Sequence, residues 1–109
     1  MSPPFDRAFY RLVYPLAFRP VLRLDRLRCE VVDLSEQGIR FVHPGPTPLK
    51  VKEEFKGFLE LPTDTGLEVE GLIVRVDGRQ VAASLSKGVP FGVMLEQQRF
   101  LQQRLVGWR

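Results

Sequence analysis

Arg7 and Arg11 stand four residues apart in Arg7-Ala8-Phe9-Tyr10-Arg11, a spacing from which two guanidiniums can reach one anion or one purine face. Farther along, Asp33-Leu34-Ser35-Glu36-Gln37-Gly38 sets a carboxylate, a hydroxyl and a glycine on one tight bend. Arginine bonds bidentately to phosphate oxygens or to the O6/N7 edge of guanine, and its plane stacks on a purine. A carboxylate accepts from the N1–H and N2–H donors of guanine. A serine hydroxyl and the free N–H groups of a turn suit phosphate oxygens or a base edge. The set matches a ligand that carries both phosphates and guanine edges, and it calls for neither a catalytic base nor a metal. Each half alone is ordinary, since two arginines four apart are commonly a solvated helix face and Asp-x-Ser-x-x-Gly is commonly turn chemistry. Their joint occurrence, with 21 residues between Arg11 and Asp33, carries the argument.

The elements that must position these residues are short strands. Residues 7–17 are aromatic-rich and interrupted by Pro15, which predicts a short helical turn or loop leading into the first strand. Residues 18–24 alternate, with Phe18, Val21 or Leu22, and Leu24 as core positions, and Asp25-Arg26 makes a tight connection to a strand over 28–33. The Asp-x-Ser-x-x-Gly bend returns the chain into 39–42, with Ile39 and Phe41 on one face and Arg40 on the other. Arg40 reads as a solvated strand position and as a candidate further ligand contact. Three prolines make 43–48 a loop, with His43 as a surface residue. Strands follow over 54–61 and 67–76, and their alternation slips near Gly57 and Gly71 as a β-bulge would make it. Asp77-Gly78 marks a hairpin into 79–85, and 89–95 reads as a last strand. Leu101, Leu105 and Trp108 have the spacing of one apolar helix face within 96–108. The expected fold is mainly β: a small antiparallel barrel of six or seven strands with a C-terminal α-helix.

Composition narrows the function classes. A chain of 109 residues forms a single domain. The net charge of +3 arises within residues 1–30, where six arginines face three acidic residues; the remainder balances. That is modest for a binder of long nucleic acid. One cysteine, Cys29, excludes an intramolecular disulfide and reads as a buried strand thiol, and a single histidine leaves no zinc set. No signal peptide and no membrane span are expected, hence a cytoplasmic location without membrane insertion. No nucleophile–base pair is visible, so an enzyme is not expected.

The order and spacing of the two motifs resemble the PilZ domain, a bacterial receptor module for cyclic di-GMP. Residues 31–35, Gly38-Ile39-Arg40-Phe41 and Phe91-Gly92-Val93-Met94-Leu95 resemble that family too, and the likeness spans roughly 7–106. It implies that residues 1–17 are a flexible arm carrying Arg7 and Arg11 and that 18–109 form the barrel and helix. It further implies that Arg7 and Arg11 clamp guanine and phosphate, that Asp33 and Ser35 read a guanine edge and a phosphate, and that Gly38 allows the close turn. No cofactor is implied beyond the ligand itself, and a downstream protein effector is the expected partner. In the family, an arginine just before the first motif arginine favours an intercalated ligand pair; here Asp6 stands there, which favours one ligand per chain. Two rival readings stand beside this one. One is an interaction adaptor whose barrel does not use nucleotide, and the other is an oligonucleotide-binding barrel that stacks bases on Phe9, Tyr10 and Tyr14.

Overall fold

The computed structural model describes residues 11–106, with side chains as far as Arg104. Seven strands, β1 (Leu12–Val13), β2 (Val21–Leu24), β3 (Leu27–Leu34), β4 (Gly38–Val42), β5 (Glu54–Glu60), β6 (Gly66–Asp77) and β7 (Gln80–Lys87), precede one helix, α1 (Phe91–Val106). All pairings are antiparallel. The order β3-β2-β5-β6-β7-β4 closes on itself through a β3–β4 pairing, which makes a six-stranded barrel. Strand β1 is additional. It follows β2 along the same edge of β3, beyond Glu30, with Leu12 opposite Leu34 and Val13 opposite Asp33.

Alternation builds the core. Leu22 and Leu24 from β2, Cys29 and Val31 from β3, Ile39 and Phe41 from β4, and Val81, Ala83 and Leu85 from β7 are all buried, with polar or small residues between them. The β2–β3 connection is the two-residue turn Asp25-Arg26, with Asp25 at φ 53°. The β6–β7 hairpin turns on Gly78-Arg79, with Gly78 at φ 62°. The expected bulge near Gly71 is present, and a second one follows between Ile73 and Arg75. Around Gly57, in contrast, the β5–β6 register runs unbroken. That glycine is needed for closeness: a Cβ there would lie 2.9 Å from side-chain carbons of both Leu22 and Leu24.

Residues 89–95 form no strand. Pro90 lies just before the helix, and its carbonyl accepts from Val93 and Met94 N–H at 3.0 and 3.1 Å, so the helix starts at Phe91. Met94, Gln97 and Leu101 then line one buried face. Leu105 and Trp108 lie outside the residues whose side chains are described. The helix is tied to the barrel by a polar chain. Tyr14 Oη donates to Gln97 Oε1 at 2.9 Å, and Gln97 Nε2 donates to Thr63 Oγ1 at 2.8 Å. Phe18 meets Phe100 edge to face, with centroids 5.6 Å apart. His43 is buried rather than a surface loop residue, because the 43–48 loop folds Gly45 against its ring. Tyr14 is buried as well, which removes it as a stacking platform for bases.

Candidate functional site

Three of the charged residues singled out in the sequence converge on one spot. Arg11 precedes β1, Asp33 lies near the end of β3, and Arg40 is in the middle of β4. Cys29 and Val31 point into the barrel, and strict alternation would send Asp33 inward behind them. The β3–β4 register instead shifts between Val31 and Asp33, so Asp33 pairs with the outward-facing Arg40. The bulge is what brings the carboxylate to the outer surface.

There Asp33 sits between two guanidiniums. Its Oδ1 is 3.9 Å from Arg11 Nε and its Oδ2 is 3.6 Å from Arg40 Nε. The Asp33 side chain is 9% exposed, against 55% and 40% for the arginines that cover it. Both separations exceed hydrogen-bond length, so the carboxylate holds the guanidiniums in place without consuming their donors. Two positive charges against one negative leave the cluster attractive to an anion.

The bend beside it is rigidly built. Ser35 N–H donates to Gly38 O at 2.8 Å, and the Ser35 hydroxyl lies 3.4 Å from the same oxygen. A Cβ on Gly38 would come 3.0 Å from Ser35 Oγ, a tight contact that the hydroxyl would have to give way to. The other side of the bend is fastened to the end of β7. Leu85 N–H donates to Gln37 O and Val89 N–H to Glu36 O, each at 2.9 Å. Gly88 allows this approach, since a Cβ there would lie 1.9 Å from Glu36 O. The tie of Gly88 to the bend is a tertiary contact with no local signature.

Arg11, Asp33, Ser35, Gly38 and Arg40 are therefore brought together. Arg7 and Asp6 lie outside the described residues. Arg40 faces Asp33 and is no mere solvated strand position. A wider open groove of about 650 Å³ lies over β5, β6 and β7, lined by Glu54, Lys56, Glu70 and Leu72 among others. It carries no guanidinium, and its Ser84 wall lies opposite Gly38 of the bend. Among the described residues no group of three His, Cys, Asp or Glu side chains could hold a metal ion. No helix among them is long and apolar enough to cross a membrane.

Among solved structures, the chain is similar to the crystal structure of an uncharacterized Legionella protein, Lpg0364. The two are 17% identical, with a TM-score of 0.65 over 88% of this chain and 98% of the other, a likeness of fold. Among curated proteins no match is found. The family model of the PilZ domain matches residues 5–107, almost the whole length. With its closed barrel, added strand and C-terminal helix, the chain belongs to the PilZ domain family.

Proposed function

We propose that this domain is a non-catalytic cytoplasmic receptor for cyclic di-GMP. In this reading the ligand draws the N-terminal segment bearing Arg7 onto the barrel, where Arg11 already lies against Asp33, and a partner protein reads the altered surface. The observation that carries it is the Arg11–Asp33–Arg40 cluster beside the Ser35–Gly38 bend. It offers forked donors for phosphate or the guanine O6/N7 edge, and an acceptor for N1–H and N2–H, on a domain whose family binds this ligand. Because the arginines cover Asp33, a guanidinium must swing aside before the carboxylate can meet a base. The ligand's phosphates supply the anion to which the displaced arginine turns. Arg7 completes the clamp, and Asp6 ahead of it favours one ligand per chain.

The test is affinity for cyclic di-GMP in Arg7→Ala and Arg11→Ala. A bidentate guanidinium contact is worth roughly 1–3 kcal/mol, so each variant should bind about fivefold to a hundredfold more weakly. The ion pair of Arg11 with Asp33 is half exposed, and its loss should cost the fold no more than about 1 kcal/mol. Undiminished binding by both variants would rule the clamp out. If the folded wild type showed no affinity, the adaptor that does not use nucleotide would take its place.

A further inference from the structure

The bulge that turns Asp33 outward has a counterpart two strands beyond Arg40. In β6, Val69, Gly71 and Ile73 are buried, and alternation would send Arg75 into the barrel after them. The β6–β7 register shifts between Ile73 and Arg75, and Val74 is the extra residue. Arg75 emerges on the outside as a result. Asp33 then lies opposite Arg40, Arg40 opposite Ala82, and Ala82 opposite Arg75, a single outward row across β3, β4, β7 and β6. Two separate bulges thus aim a charged side chain at the same strip of surface.

The row has a gap at its centre. Ala82 is the small residue between the two arginines, and beside it lies a depression of about 100 Å³ lined by Arg40, Arg75, Asp77, Gln80, Val81 and Ala82. At a strand spacing of about 4.8 Å, Arg75 is roughly 10 Å from Arg40 and roughly 14 Å from Asp33 along the sheet. The ion pair of Arg75 with Asp77 is 4.0 Å long, and both side chains are at least three-quarters exposed, so the guanidinium donors stay uncommitted. Gln80 adds an amide that can donate or accept at a base edge.

We propose that Arg40 and Arg75, on either side of Ala82, form a second subsite for the far half of the cyclic dinucleotide, a phosphate or a guanine O6/N7 edge. The proposal rests on the receptor reading above, in which the near half is held at Asp33, Ser35 and Gly38. A ligand with two guanines and two phosphates spans both places, whereas a mononucleotide engages one. Arg75 is then a determinant of selectivity for the cyclic dinucleotide, from a strand that neither sequence motif includes.

The experiment is an amide-resolved NMR titration of the wild type, Arg75→Ala and Ala82→Leu with cyclic di-GMP. In the wild type, the amides of residues 35–38 and of 80–82 should shift together to saturation. In Arg75→Ala the shifts at 80–82 should shrink while those at 35–38 persist, with affinity reduced roughly tenfold. Ala82→Leu fills the gap and should act in the same direction, and both changes lie on the outer surface, where they leave the core intact. Arg26→Ala, an exposed change at the opposite end of β3, should alter nothing. Wild-type shifts confined to 35–38, or unchanged affinity in Arg75→Ala, would overturn the subsite and leave the receptor reading standing. Saturation with no shift in either segment, or no binding at all, would overturn both.

Discussion

Replacing Gly88 with alanine places a Cβ 1.9 Å from the Glu36 carbonyl oxygen, where ordinary contact begins near 3.4 Å. No rotation of the new methyl relieves this, because a Cβ is fixed by the backbone and its neighbour is backbone too. The Glu36 carbonyl must retreat, and the 2.9 Å bond it accepts from Val89 N–H must break or distort. Overpacking of this kind costs about 1–3 kcal/mol and a lost hydrogen bond about 0.5–1.5 kcal/mol, so a destabilisation of about 2–4 kcal/mol is expected. In a domain of this size that lowers Tm by roughly 10–20 °C. The assay is thermal unfolding by calorimetry, with Gly92→Ala as the control. A Cβ on Gly92 meets nothing within 4 Å, and alanine at a helix position should be neutral or stabilising by up to about 1 kcal/mol. Ligand affinity should fall alongside, since the Ser35–Gly38 bend is what the Gly88 contact holds. A Gly88→Ala protein that unfolds at the wild-type temperature would refute the claim that the end of β7 sets the bend.

Two further outcomes follow from buried groups. Burial pushes the Cys29 thiol from 9.0 up to about 11, so the unfolded chain loses this proton at a lower pH than the folded one. The thiol's contribution is full below pH 9 and declines by about 2–3 kcal/mol as pH rises to 11; denaturant titrations of wild type against Cys29→Ala should show a steeper alkaline decline in the wild type, and equal slopes would contradict it. Gln97 is fully buried and accepts from the Tyr14 hydroxyl, so Tyr14→Phe should cost about 1–3 kcal/mol in urea unfolding, and an unchanged midpoint would mean that the bond does not anchor the helix.

Much of this architecture can be read from local patterns, and the misses have physical causes. Strands β4 and β7 alternate cleanly because one face is barrel core and the other is surface, so Ile39 and Phe41 are legible as core positions. The turns at Asp25-Arg26 and Gly78-Arg79 announce themselves through Asp25 and Gly78, residues that tolerate positive φ. Residues 89–95 mislead, because a short apolar run fits a strand or a buried helix equally well and the proline before Phe91 decides for the helix. Bulges at Val32 and Val74 have no mark of their own in valine-rich runs. That is why Asp33 could be chosen as a site residue from its motif, whereas the place of Arg40 against it became visible only with the register, as did that of Arg75 beyond. His43 is buried through a loop contact with Gly45 that no local pattern encodes.

The most direct test of the central claim is a calorimetric titration of the wild-type protein with cyclic di-GMP, with linear pGpG and GTP as comparisons. The account predicts saturable binding selective for the cyclic dinucleotide, at one ligand per chain. A folded protein that takes up no cyclic di-GMP, or takes it no better than GTP, would contradict it.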